Sequence, residues 1–186
     1  EQNSWQLNEK VLEDSLLNAK KNGINPVAIS VINPGNPTGA VLSYDNIKMI
    51  LNFAKKYNLS VLADEVYQEN IYKDGLKFYS FAKVAHDLGI TDVPLFSFHS
   101  MSKGYLGECG HRAGYFELRN IPQDVLEQFI KLQSISLCSN VIGQIATYLM
   151  VSPPKEGDES YELFVKEKDG ILKDLKTKAE ILGKGL

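Results

Sequence analysis

Five side chains in this sequence have the types and the spacing for covalent chemistry. Lys103 stands in Ser100-Met101-Ser102-Lys103-Gly104, and Asn36 in Asn33-Pro34-Gly35-Asn36-Pro37-Thr38-Gly39. Asp64 and Tyr67 share Ala63-Asp64-Glu65-Val66-Tyr67, and Arg112 follows the lysine by nine positions. A lysine amine that burial or cationic neighbours keep partly neutral forms a Schiff base with an aldehyde. Flanking Ser102 and Gly104 leave room for a bulky partner. Asp64 ends the run Leu59-Ser60-Val61-Leu62-Ala63, where an unpaired carboxylate is costly and a protonated ring nitrogen is its natural partner. Tyr67 and Asn36 can both donate to a hydroxyl oxygen on such a ring. Arg112 presents a planar fork suited to a dianion, and Ser100, three residues before the lysine, adds a hydroxyl donor. Ser102 is a further candidate of the same kind.

These groups need elements to hold them. Asn8 can cap a helix carrying Val11, Leu12, Leu16 and Ala19, closed by Asn22-Gly23. Pro26 to Ile32 is a short β-branched run, with the look of a strand buried on both faces. The Pro, Gly and Asn of residues 33–39 make a loop. Ser43 then caps a helix with Ile47, Ile50, Leu51, Ala54 and Tyr57 on one side. Strands are predicted at Leu59 to Ala63, Pro94 to Phe98 and Gly114 to Leu118, with a short helix from Ser80 to Leu88. Pro122 starts one helix, and another follows Ser139 with Val141, Ile142, Ile145 and Leu149 inward. Residues 152–158 break the chain before a last amphipathic helix. Strands alternating with helices predict an α/β layered domain, whose ligands sit beyond the carboxyl ends of the strands. Asn36, Asp64 and the Ser100-to-Lys103 segment all fall at such ends.

Composition narrows the classes. The 186 residues are 44% hydrophobic, enough for a full core, and carry a net charge of −3 with no basic stripe. That gives no support for nucleic-acid or membrane-surface partners. No apolar run approaches the roughly 20 residues of a membrane span. Two cysteines are too few for a disulfide framework, and the expected compartment is the cytoplasm, with an organelle left open. His99, Cys109 and His111 lie near the lysine, but their spacing matches no zinc pattern, so no metal site is expected. Ser100-Met101-Ser102-Lys103 also satisfies the serine-x-x-lysine pattern of β-lactamases. Its companions Ser-Asp-Asn and Lys-Thr-Gly are missing, and the pattern follows a strand instead of opening a helix.

The ordered set Asn36, Asp64, Tyr67, Lys103 and Arg112 resembles the fold-type I, aspartate-aminotransferase-like enzymes that use pyridoxal phosphate. Within them the wording from Ser97 to Arg112 is most similar to the alanine aminotransferases. The resemblance implies a three-layer α/β/α domain on a mixed, mostly parallel, seven-stranded sheet. It implies that Lys103 carries the cofactor in a Schiff base and shuttles a proton. It places Asp64 at the ring nitrogen, Tyr67 and Asn36 at the ring hydroxyl, and Ser100, Arg112 and Ser102 at the phosphate. The activity implied is transamination between L-alanine and 2-oxoglutarate by a homodimer. Other reactions on the same lysine, and a non-catalytic binding or dimerisation module, are the competing readings. Relatives of this type are longer, and the chain starts without a methionine and stops inside a helical pattern. The expectation is therefore a partial cofactor-binding domain over residues 1–158, then a helix over 159–186 leading toward a smaller domain.

Overall fold

Helices begin where their capping residues stand. The computed structural model describes residues 5–185. Helix α1 (Glu9–Lys21) starts at Asn8, whose Oδ1 accepts from the N–H groups of Lys10 and Val11. Helix α2 (Tyr44–Tyr57) starts at Ser43, whose Oγ accepts from Asn46, and stops at Asn58 in the left-handed conformation. Ser80 caps α3 (Phe81–Asp87) in the same way.

Between the helices run β1 (Ala28–Ile32), β2 (Ser60–Asp64), β3 (Leu95–Ser100) and β4 (Gly114–Arg119). They form one sheet in the order β1-β2-β3-β4, with the first three parallel and β4 antiparallel to β3. Because that order advances in one direction, right-handed crossovers put α2 and α3 on the same face. There Ile47, Ile50 and Leu51 of α2 and Phe81 and Val84 of α3 are fully buried against Val31, Val61, Ala63 and Leu95. On the other face α4 (Gln123–Gln133) lays Phe129 against Phe96, ring centroids 5.7 Å apart. Helices α5 (Val141–Val151) and α6 (Tyr161–Gly185) complete the described chain. The result is the expected layered α/β fold with a mixed, mostly parallel sheet, built here from four strands.

Two expectations about burial are corrected. Strand β1 is not covered on both faces: only Val31 is buried, and Ser30 and Ile32 are exposed toward a cleft. Helix α5 does not bury its apolar side, since Val141, Ile142, Ile145 and Leu149 are all between 57% and 66% exposed. The physical reason is common to both. An apolar pattern marks the side that needs cover, and no described element lies across it. Strands β1 and β4 are likewise paired on one side only among the described residues.

Leu51→Ala is expected to lower the unfolding free energy by about 2–5 kcal/mol. Leu149→Ala, at a site 57% exposed, is expected to change it by about 0.5 kcal/mol or less. Urea unfolding of the two variants measures the contrast, and equal losses would contradict this placement of the core.

Candidate active site

Strands β1 and β2 stop on a common row, which β3 passes by two residues. Ile32 pairs with Asp64, Asp64 with Phe98, and Phe98 with Phe116. A cleft of ≈ 650 Å³ opens along that row, within the size range of small-molecule sites. Asn36, Asp64, Tyr67, Ser100 and Lys103 all line it. Five of the seven residues singled out in the sequence are therefore brought together.

Asp64 is the last residue of β2 and is half-buried between Ile32 and Phe98. Its carboxylate makes one hydrogen bond among the described residues, accepted at Oδ1 from the Val66 N–H at 3.3 Å. Tyr67 lies in the turn after β2, and Asn36 in the loop after β1. The Asn36 amide donates to the Tyr67 hydroxyl at 3.3 Å, so the two loops meet there. Lys103 reaches in from the opposite side, with Nζ 5.7 Å from the centroid of the Tyr67 ring. At that distance the ring face attracts an ammonium. No carboxylate lies within ion-pair distance of Lys103 among the described residues.

The local sequence explains how Lys103 is presented. Met101 is almost fully buried, its N–H donates to the Ala113 carbonyl, and its own carbonyl accepts from Glu108. That anchors the loop while Lys103, two residues on, stays exposed. Gly104 follows at φ +70°, a conformation that glycine adopts freely. On the neighbouring strand Gly114 pairs with Ser100, and a Cβ there would stand 2.6 Å from the His99 carbonyl oxygen.

Two candidates fall outside the cleft. Arg112 lines an adjoining cavity of ≈ 670 Å³ that shares Gly114 and Tyr115 with the first. Its Nη1 donates to the Cys109 carbonyl at 2.9 Å, and its backbone is left-handed at φ 50°. For a non-glycine residue that conformation costs roughly 1–2 kcal/mol. Ser102 donates its N–H to the Ser100 hydroxyl at 3.3 Å and lines neither cavity.

Three residues passed over in the sequence also belong to the site's surroundings. His99 lines the cleft, packs edge-on against Tyr115 and lies 3.4 Å from the Gln68 amide nitrogen. Burial holds its imidazole below the usual histidine range, against the pull of Glu69 and Asp64, and its buried Nδ1 has no partner among the described residues. Asn70 accepts from the Gly104 N–H at 3.1 Å and so ties the Tyr67 turn to the lysine loop. Glu65 is buried next to Asp64, and desolvation pushes its carboxyl up to about 7, opposed by the Phe81 N–H and aided by Glu117 and Asp64. In the sequence, only the nearness of His99 to Lys103 and the adjacency of Glu65 to Asp64 were visible.

Comparison with known proteins agrees with this fold. Residues 1–184 match the profile of the family described as Aminotransferase class I and II. The chain is 50% identical over its whole length to alanine aminotransferase 1, mitochondrial, of Arabidopsis thaliana, and covers 35% of that protein. It is 48% identical to glutamate–glyoxylate aminotransferase 2 of the same plant, covering all of this chain and 39% of that one. Among solved structures, an alanine aminotransferase from Pyrococcus furiosus superposes with a TM-score of 0.67 at 26% identity, over 90% of this chain and 39% of the other. The chain thus spans little more than a third of the relatives it matches. No helix among the described residues is long and apolar enough to cross a membrane.

Gly114→Ala is expected to push β4 away from Ser100 and to lower stability by about 1–3 kcal/mol. A crystal structure of the variant, or its urea unfolding, tests this, and an unchanged strand spacing would refute it. Glu65 sets a pH dependence. Its folded pKa lies above the ordinary 4.5, so the stabilisation by its protonated form is complete below about pH 4.5 and is lost as pH rises toward 7. Glu65→Gln stays neutral and can still accept from Phe81. It is therefore expected to gain roughly 3 kcal/mol on the native protein between about pH 4.5 and about pH 8. Urea unfolding at the two ends of that range reads the gain, and a constant difference would show that Glu65 ionises as it does in water.

Proposed function

The chain belongs to the class I and II aminotransferase family, and we propose that the full-length protein carrying it transfers an amino group between L-alanine and 2-oxoglutarate, with pyridoxal phosphate as cofactor. The observation that carries this is the convergence of Lys103, Asp64, Tyr67, Asn36 and Ser100 on one cleft at the strand ends. The donor set fits that cofactor: a primary amine for its aldehyde, a carboxylate for its ring nitrogen, a phenol and an amide for its ring hydroxyl, and a hydroxyl for its phosphate.

When bound, the cofactor supplies an electron sink for the pair left as the substrate Cα loses its proton. The chain's own residues do the rest. Lys103 would hold the aldehyde carbon through Nζ and, once the substrate amine has displaced it, the same Nζ would take the Cα proton and pass it to that carbon. Asp64 would keep the ring nitrogen protonated by a charge-assisted hydrogen bond, favoured by the apolar row that flanks it. Tyr67 Oη and Asn36 Nδ2, already in contact, would donate to the ring hydroxyl oxygen. Ser100 and Arg112, with Ser102, would bind the phosphate, Arg112 from the adjoining cavity.

The substrate pair rests on the relative named alanine aminotransferase at 50% identity. Glyoxylate as the amino acceptor is a second reading, favoured by the 48% identical relative of that name. A second copy of the protein belongs to the proposal as partner, and the exposed apolar side of α5 is surface open to it. The Arabidopsis relative is named mitochondrial, so an organelle stands beside the cytosol as the compartment.

Borohydride reduction of the full-length protein with pyridoxal phosphate, followed by peptide mapping, is expected to leave a phosphopyridoxyl group on Lys103. Lys103→Ala is expected to abolish the adduct and to lower turnover by roughly 10⁴-fold. Pyruvate formation from alanine, with 2-oxoglutarate and with glyoxylate in turn, separates the two substrate readings. An unlabelled lysine, or a variant that transaminates at the native rate, refutes the proposal and leaves the chain a binding module.

A further inference from the structure

Asn33 and Glu65 are buried polar side chains, 0% and 6% exposed, and the roles above use neither. Buried polar groups require partners, and here the partners are backbone atoms of Leu42, Tyr79 and Phe81. Asn33 ends the β1 side of the cleft. Its N–H donates to the Asp64 carbonyl at 2.9 Å, and its Oδ1 accepts from the Leu42 N–H at 2.9 Å. Leu42 closes the loop that holds Asn36, so this side chain spans the loop's base. Its Nδ2 donates to the Tyr79 carbonyl at 3.4 Å. Glu65 opens the turn that holds Tyr67. Its N–H donates to the Phe98 carbonyl at 3.1 Å, and its Oε1 accepts from the Phe81 N–H at 2.7 Å. The two fastenings therefore end two residues apart, on the backbone that leads into α3.

We infer that Asn33 and Glu65 are positioning residues of the cofactor cleft, which fasten the segments carrying Asn36, Asp64 and Tyr67 to the single stretch Tyr79–Phe81 at the start of α3. The inference rests on the cofactor reading above and adds to it what sets the spacing of those three groups. The contact that reports it is the hydrogen bond from Asn36 to Tyr67, because each of its ends belongs to a different fastened segment. An alanine at position 65 would leave the Phe81 N–H without its acceptor and the Tyr67 turn tied only to β3.

The test uses the full-length protein and two readouts besides turnover. One is the dissociation constant of pyridoxal phosphate, from quenching of protein fluorescence. The other is the pH midpoint of the bound cofactor's visible absorption, which the donors to its ring hydroxyl depress. Glu65→Ala is expected to raise the dissociation constant about tenfold and the midpoint by about half a pH unit or more. Glu65→Gln, whose amide oxygen still accepts from Phe81, is expected to restore both. Asn33→Asp keeps the acceptor for Leu42, loses the donor to Tyr79, and is expected to move both readouts the same way. It also decides the matter should Glu65→Ala fail to fold. A folded Glu65→Ala or Asn33→Asp protein with native affinity and native midpoint overturns the inference alone, as does a Glu65→Gln protein no better than Glu65→Ala. A native protein that takes up no pyridoxal phosphate overturns the cofactor reading, and this inference with it.

Discussion

The in-register pairing of three parallel strands is the constraint on which the rest of the site depends. With Ile32, Asp64 and Phe98 paired across the sheet, the loops that follow β1 and β2 begin side by side, and the loop after β3 begins two residues further along. A slip of one residue in β2 would turn Asp64 from the cleft face to the core face and send Ala63 the other way. The register is held by burial. Val31, Val61, Ala63 and Leu95 must face α2 and α3, and alternation then leaves Ser30, Leu62, Asp64 and Phe98 for the cleft. The chemistry of one face follows from the hydrophobic demand of the other.

Local signals in the sequence located most elements. Asn8, Ser43 and Ser80 each cap the helix they announce, and every predicted strand is present. Boundaries moved where pairing overrode local preference. Strand β3 runs on to Ser100 because β4 pairs with it as far as Gly114, and β2 takes in Asp64 because Ile32 and Phe98 flank it. Burial was less legible than type. The apolar residues of β1 and α5 read as inward, yet their cover is no part of the described chain.

The candidate site divides along the same line. Lys103, Asp64, Tyr67 and Asn36 were legible because each sits in a short, distinctive stretch at a predicted strand end. Asn33, Glu65, Asn70 and His99 were not, because what they do depends on partners far away in the chain. Asn33 meets Tyr79 and Glu65 meets Phe81, and no local pattern announces either pairing. Arg112 is the intermediate case. Its residue type suggested an anion, but its backbone turns it onto Cys109 and into the adjoining cavity.

The two outer strands of the sheet differ in a way that bears on handling the chain by itself. Each leaves one row of backbone N–H and C=O groups unpaired among the described residues. Strand β4 carries Glu117 and Arg119, joined as an ion pair, and charge on an edge discourages a further strand from adding. Strand β1 reads Ala28-Ile29-Ser30-Val31-Ile32, with neither charge nor proline. Unshielded, it is a template for another extended segment, so solubility in isolation is limited at β1, on the side of the sheet away from β4.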